Sequence, residues 1–277
     1  MSQARVTIAD LRARKQAGRK ITMMTAYDYP SARLVDQAGI DTILVGDSLG
    51  MVVLGYASTV PVTVDEMIHH CKAVCRGSER AFVIGDLPFM SYQVSVEQAV
   101  ANAGRFVKEA GCDAVKLEGG TEMAPVAKAI VKAGIPVCAH IGLTPQTATM
   151  LGGFKVQGKD AEGAKALIRS AKAFEEAGAF MVVIECVPDV LAGKITAELA
   201  IPTIGIGAGK DCDGQVLVYH DLLGLFDRFT PKFVKRYANL GPLIKAALEE
   251  YKREVESGDF PGPEHVFAMK PEEVEKL

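Results

Sequence analysis

Short blocks of branched apolar residues recur along the chain, and each runs out in glycine or a carboxylate. Ile43-Leu44-Val45 leads into Gly46-Asp47-Ser48, and Phe82-Val83-Ile84 into Gly85-Asp86. The pattern returns at Ala114-Val115-Lys116-Leu117-Glu118 and at Met181-Val182-Val183-Ile184-Glu185. Apolar runs of this length read as strands buried on both faces. The segments between them are helical in length. Ala-Gly closes four of them, at Gly39, Gly111, Gly134 and Gly178, where glycine takes the left-handed conformation that ends a helix. Thr63-Val64-Asp65-Glu66 and Ser95-Val96-Glu97-Gln98 each fit a capping box at a helix start.

Strands are predicted near 21–25, 42–46, 82–85, 113–118, 136–140, 180–184, 202–206 and 215–219. A lead-in helix is expected within 1–20, a first crossover helix over Ser31 to Ala38, and a long final helical region from Lys232 to Val255. Strands alternating with helices imply parallel βαβ units and an α/β fold, a (β/α)8 TIM barrel. An open doubly wound sheet shares the same spacing. No linker rich in Pro, Gly or Ser divides the chain, so residues 1–277 are expected to form one domain. The tail from Gly258 to Leu277 is rich in proline and charge and is expected to be partly flexible.

Composition narrows the function. With 277 residues, 49% of them hydrophobic, the chain can fill a large core. A net charge of −3 and the absence of Trp give no case for nucleic acid or an anionic membrane as partner. Met1 to Lys20 is polar and basic with no apolar signal region, so a cytoplasmic location is expected. The six cysteines lie mostly in apolar contexts and read as reduced buried thiols. Cys71 and Cys75 fit one helix face, but no second Cys or His pair completes a zinc set.

The chemistry concentrates in the carboxylates, because strand C-terminal ends are where α/β folds gather their active sites. Side chains alternate along a strand, so Lys116 and Glu118 share one face and Val115 and Leu117 the other. The apolar pair suits the helix-facing side and the charged pair the barrel mouth. Asp47, Asp86 and Glu118 offer oxygen ligands only, which select Mg²⁺ or Mn²⁺ over zinc. Each acid alone has a plainer reading as a helix cap or as a partner for Lys116. His140 ends a strand and is either a satisfied polar residue or a functional one. Glu185, well downstream, is either a general base or a salt-bridged acid. Gly205-Ile206-Gly207-Ala208-Gly209 lacks nucleotide-motif spacing and reads as tight packing at the rim. The long connections Ser48 to Val62 and Gly142 to Asp160 carry glycines and are lid candidates, the first favoured.

Laid in order, these segments resemble one family. Thr25-Ala26-Tyr27-Asp28-Tyr29, Val45 to Gly50, Asp86-Leu87-Pro88-Phe89, Lys116 to Gly120, His140 to Gln146, Glu185-Cys186-Val187-Pro188 and Gly205 to Gly209 together are similar to the motif series of ketopantoate hydroxymethyltransferases. The resemblance covers nearly all of the chain up to about Phe260. It implies a barrel of the phosphoenolpyruvate mutase/isocitrate lyase superfamily. It also implies hydroxymethyl transfer from 5,10-methylenetetrahydrofolate to 3-methyl-2-oxobutanoate, giving ketopantoate for coenzyme A synthesis through a Mg²⁺-stabilised enolate. By the same likeness Asp47, Asp86 and Glu118 belong to the metal site, Asp47, Ser48, Asp86, Lys116 and His140 to the keto acid site, and Glu185 is the base. A homo-oligomer, a decamer, is implied as well. A superfamily lyase or mutase acting on another 2-oxo acid, and a non-catalytic metabolite-binding barrel, are the rivals. The Lys-Lys-Cys-Gly-His loop of isocitrate lyase is missing here.

Overall fold

A computed structural model describes residues 4–277, so Met1 to Gln3, part of the expected lead-in, lie outside the described residues. Eight parallel strands close on themselves in chain order: β1 (Ile21–Thr25), β2 (Thr42–Val45), β3 (Phe82–Asp86), β4 (Ala114–Glu118), β5 (Val137–Gly142), β6 (Met181–Glu185), β7 (Thr203–Ile206) and β8 (Gly214–Leu217). β1 pairs with β8, which closes the barrel and decides against the open sheet.

Helix α1 (Ile8–Gln16) precedes the barrel, with a full Thr7 capping box, and its buried Leu11 packs with Val6, Met23, Phe82 and Phe180. The crossovers carry α2 (Tyr29–Gln37), the short α3 (Leu49–Val52), α4 (Val64–Gly77), α5 (Val96–Arg105), α6 (Ala124–Lys132), α7 (Ala161–Glu176) and α8 (Asp189–Glu198). The Ala-Gly stops hold: Gly39, Gly111, Gly134 and Gly178 all have φ between 79° and 92°. The Thr63 capping box closes in both directions. At Ser95 only half forms: the hydroxyl accepts from Gln98 N, but the Gln98 carbonyl oxygen finds no partner among the described residues.

Alternation along the strands produces two cores. Val115, Leu117, Val182 and Ile184 face the helices in the larger one. Leu44, Ile84, Cys138, Val183, Ile204 and Val216 fill the barrel interior and form the floor of the site. Such inward-pointing layers make the barrel a packed solid rather than a pore.

Two expectations are corrected. The first crossover helix starts at Tyr29, two residues early, because Asp28 rather than the turn after it caps the helix. The final helix, α10 (Leu240–Ser257), starts eight residues later than Lys232. The intervening backbone bonds instead to α9 (Tyr219–Leu222) and the turn after it, through Tyr237 N to Leu222 O and Leu240 N to Leu223 O. The connection Ser48 to Val62, the favoured lid candidate, buries Leu49, Gly50, Thr59 and Val62 and leaves Val53, Gly55, Ala57, Val60 and Pro61 exposed, with Tyr56 OH donating to Glu66. The second connection is the open one: Met150 is 86% exposed and Phe154 61%. All six cysteines are free thiols, four of them buried, and Cys75 and Cys112 approach to 4.0 Å. Beyond α10 the tail carries α11 (Pro271–Val274) and is exposed throughout its last residues.

Candidate active site

Strand register assembles the charged cluster at the C-terminal mouth. Asp86 of β3 lies level with Lys116 of β4, and Glu118 of β4 lies level with His140 of β5. Level residues on neighbouring parallel strands point the same way, so two pairs that are remote in sequence become contacts. Lys116 Nζ donates to Asp86 Oδ1 at 2.7 Å and to Glu118 Oε1 at 3.3 Å, with the lysine only 3% exposed. His140 Nδ1 lies 3.2 Å from Glu118 Oε1 and its Nε2 lies 3.1 Å from Glu185 Oε2. Neither approach is aligned as a hydrogen bond, so the ring is held between the two acids by charge more than by direction.

Asp47 follows β2 and completes the group. Its backbone N–H donates to Asp86 Oδ2 at 3.1 Å. Ser48, next to it, shares a hydrogen bond of 2.8 Å with Tyr27 OH. Gln146, buried in the connection after β5, ties the acids together. Its Nε2 donates to Asp47 Oδ2 at 3.0 Å and to Leu87 O at 2.9 Å, and its backbone N–H donates to Glu118 Oε2 at 3.2 Å. Tyr92 OH donates to Gln146 Oε1 at 2.7 Å while accepting from Glu118 N at 3.1 Å. The Leu87 carbonyl, which can only accept, fixes the amide so that its NH2 end faces Asp47.

Electrostatics follow from burial. Desolvation, then repulsion from Asp86 and Glu118, pushes the Asp47 carboxyl well above its ordinary range. Burial also raises Asp86, against the opposing pull of Lys116. Burial opposes the charge on Lys116, but Asp86, Glu118 and Asp47 hold its ammonium well above the usual value. Glu118 is also penalised by burial, yet Lys116 and His140 bring it down to about 2. His140 is disfavoured as a cation by burial and by Lys116, but Glu118 and Glu185 raise it to about 9. Four acids thus face two cations in a dry mouth. Asp47 and Asp86, the two acids that burial disfavours as anions, are the ones a divalent cation beside them would favour in ionised form.

The donor set fits such an ion. Asp47, Asp86 and Glu118 are hard oxygen donors, as Mg²⁺ requires. Among the described residues no three His, Cys, Asp or Glu side chains converge on one point. Mg²⁺ binds through one or two carboxylates and keeps waters and substrate oxygens, so it does not need three side chains on one point.

Glu185 ends β6 and is the least buried of the four acids. Two backbone features shape its surroundings. Cys186, the next residue, has φ of 48°, unusual for a non-glycine residue and typical of sites where strain is retained. Gly142, level with Glu185 on β5, has φ of 96°, and a Cβ there would lie 2.2 Å from Glu185 O. Only glycine lets β5 pass that close. The Gly205–Gly209 segment is packed as expected: a Cβ on Gly207 would meet the Phe233 ring at 2.7 Å, and one on Gly209 would meet Asp189 at 2.4 Å.

A cavity of about 470 Å³ opens above the acids. Asp47, Ser48, Asp86, Lys116, Glu118, His140 and Glu185 all line it, so every residue expected at the site reaches one space. Its far wall is apolar, with Phe154, Phe226, Phe229 and Phe233. Gln146 and Tyr92 are additions that sequence reasoning missed. Gln146 stood inside a quoted motif, but nothing local shows that its side chain reaches the connections after β2 and β3.

The model of the family described as ketopantoate hydroxymethyltransferase matches residues 5–263. The chain belongs to that family. The 3-methyl-2-oxobutanoate hydroxymethyltransferase of Moorella thermoacetica is 65% identical over 266 residues, 96% of this chain and 98% of that one. Its counterpart from Heliobacterium modesticaldum is 63% identical over 265 residues, 96% of each chain. Among solved structures, a phosphonopyruvate hydrolase complex with oxalate and Mg²⁺ superposes with a TM-score of 0.61 at 16% identity, covering 98% of this chain and 97% of that one. A 2,3-dimethylmalate lyase, described as a member of the PEP mutase/isocitrate lyase superfamily, gives 0.60 at 18%, covering 98% and 94%. At such identity the likeness is one of fold. No helix among the described residues is long and apolar enough to cross a membrane.

Proposed function

We propose that the chain transfers the one-carbon unit of 5,10-methylenetetrahydrofolate to 3-methyl-2-oxobutanoate, forming ketopantoate, with Glu185 as the base. The observation that carries the assignment of roles is the division of the mouth. Asp47, Asp86, Lys116 and Glu118 form one linked group, and Glu185 stands across His140 from it.

Asp47 and Asp86, with Glu118 behind them, would hold Mg²⁺ or a similar divalent ion. When bound, that ion supplies Lewis-acid polarisation of a 2-oxo acid. The remaining steps belong to the protein. Ser48 Oγ and the Lys116 ammonium bind and orient the substrate carboxylate and keto oxygen. Lys116 stays protonated because three acids surround it, so it places a fixed positive charge beside the oxygen on which negative charge develops. Glu185 takes the C3 proton. His140, raised to about 9, stands with its Nε2 3.1 Å from Glu185 Oε2 as a cationic neighbour of the base. The C3 carbon then bonds to the one-carbon unit, whose two bonds to folate nitrogens break. Water supplies the hydroxyl oxygen, and its two hydrogens pass to those nitrogens. The proton held by Glu185 returns to the product hydroxyl, and tetrahydrofolate leaves.

The mixture of keto acid, methylenetetrahydrofolate and Mg²⁺ tests the reading, with ketopantoate as the measured product. Product that requires all three supports it. Keto acid cleavage without folate points to a superfamily lyase, and binding without turnover points to a metabolite-binding barrel. The reading also makes the protein a cytoplasmic homo-oligomer, a decamer by family likeness. The stripe of Leu243, Ile244, Leu248, Tyr251 and Val255, which α10 leaves exposed, supports self-association. Sedimentation of the full chain tests it.

A further inference from the structure

The cavity holds more than a five-carbon acid needs. Its volume is that of sites for much larger ligands. Five carboxylates line it, and four belong to the cluster already described. The fifth, Asp221, stands apart on α9 in the apolar part of the wall. No donor from the described residues hydrogen-bonds its half-buried carboxylate, and Arg236 acts on it only at longer range. A half-buried acid without a partner calls for an explanation.

Its position is fixed relative to the keto acid site. Tyr219 N, two residues before it, donates to Thr25 Oγ1 at 2.8 Å. The ring of His220, its neighbour, packs on Tyr27 with centroids 5.4 Å apart. Tyr27 in turn hydrogen-bonds Ser48. Two contacts, His220 on Tyr27 and Tyr27 on Ser48, therefore connect the neighbour of Asp221 to the residue proposed to hold the keto acid.

The segment that follows is mostly cationic and aromatic. Residues 227–237, Asp-Arg-Phe-Thr-Pro-Lys-Phe-Val-Lys-Arg-Tyr, carry four cations and one acid in a chain whose net charge is −3. Arg228 is engaged by Gly55 O and Tyr56 O, and Arg236 by Thr230. Lys232 lines the cavity and pairs with no acid among the described residues, and Lys235 lies over the Tyr237 ring. Phe226, Phe229 and Phe233 line the cavity beside them, with Phe233 seated against Gly207.

From this juxtaposition we infer a subsite for the whole folate molecule: Asp221 receives the pterin, the three phenylalanines cover its ring, and Lys232 with Lys235 meets its glutamate carboxylates. The chemistry matches part by part. The pterin presents an amino group and a ring N–H side by side, two donors that one carboxylate accepts together. The ring is flat and apolar on its faces, and the opposite end of the molecule is anionic. The orientation leaves the ring's reactive edge toward Ser48 and the acids. This subsite rests on the reading under Proposed function.

Calorimetry on the full-length protein with Mg²⁺ tests it with two probes, tetrahydrofolate and 6-methyltetrahydropterin, which lacks the glutamate end. Asp221→Asn, near in shape, turns one acceptor into a donor. It is expected to weaken both probes by about 10-fold or more, since charge-assisted bonds to the pterin are lost. Lys232→Ala combined with Lys235→Ala is expected to weaken tetrahydrofolate alone. Exchange of the keto acid C3 proton with deuterated water, measured without folate, reports the other half of the site in each variant. Unchanged affinity of Asp221→Asn for both probes, with exchange intact, overturns the subsite while leaving the proposed reaction standing. A wild-type protein that exchanges the proton but binds no tetrahydrofolate removes the folate from the reaction and the subsite with it. Equal weakening of both probes by the lysine pair overturns the assignment of the glutamate end.

Discussion

Replacing Gln146 by Met tests whether the acids are held in place or merely close together. Methionine matches the length of glutamine and fills the same space, but it makes none of its bonds. Two buried groups then lose that partner, Asp47 Oδ2 and Leu87 O, while Tyr92 OH keeps Glu118 N and can donate to Glu118 O. Each costs about 1–3 kcal/mol when left unsatisfied, so the variant is expected to lose about 2 kcal/mol or more. For a chain of this size that corresponds to a fall in Tm of about 4 °C or more. The backbone N–H to Glu118 survives the change, so Glu118 keeps its place while Asp47 does not. Turnover should therefore fall more than stability alone explains, and the apparent affinity for Mg²⁺ should weaken with it. Differential scanning calorimetry gives the first quantity, and a metal titration of activity at a temperature well below Tm gives the second. A variant within about 1 °C of wild type, with unchanged metal dependence, refutes the view that Gln146 positions Asp47.

Asp47→Ala and Asp86→Ala should each abolish Mg²⁺-dependent keto acid binding while the fold persists, and calorimetry showing wild-type binding in both would remove them from the metal site. Asp36 accepts from Ser78 Oγ and from the backbone N–H groups of Glu79, Arg80 and Ala81, ahead of β3. Burial opposes its ionisation, but those bonds hold its carboxyl below the ordinary value, so its contribution is complete above the unfolded pKa of about 4 and is lost as pH falls through the folded value. Urea melts should show Asp36→Ala weaker than wild type by about 1–3 kcal/mol at pH 7, with the gap closing in acid; a gap that is constant with pH contradicts this. Gly85→Ala places a Cβ 2.4 Å from the Phe106 ring and 3.0 Å from Cys112 Sγ, directly behind Asp86. It should cost about 1–3 kcal/mol and lower turnover, and a neutral substitution would show that β3 can shift without moving Asp86.

The barrel was legible because each strand is an uninterrupted apolar run with a stop at both ends. Every strand was placed to within two residues, and the acids at β2, β3, β4 and β6 were visible as the residues on which those runs end. The face of Lys116 and Glu118 followed from alternation alone. What the chain order hides is lateral register. Nothing near Lys116 says that Asp86 will lie level with it, or that His140 will stand between Glu118 and Glu185. Gln146 and Tyr92 were unreadable for the same reason: a polar side chain in a loop declares its role only when its partners arrive from 50 or more residues away. The stretch 232–239 misled because its periodicity suits a helix, while its backbone groups are taken up by α9 and the turn after it. Asp221 is invisible in sequence as an unpaired acid, since pairing is a property of the folded surroundings.

The central claim is that Glu185 removes the C3 proton of the keto acid. The most direct measurement is proton NMR of 3-methyl-2-oxobutanoate in deuterated water with Mg²⁺ and no folate, comparing wild type with Glu185→Gln. The amide keeps the shape and removes the proton acceptor. The wild-type protein should wash out the C3 proton, and the variant should bind the keto acid yet exchange it about 10²–10⁴-fold more slowly. Exchange at the wild-type rate in Glu185→Gln would contradict the claim and move attention to His140.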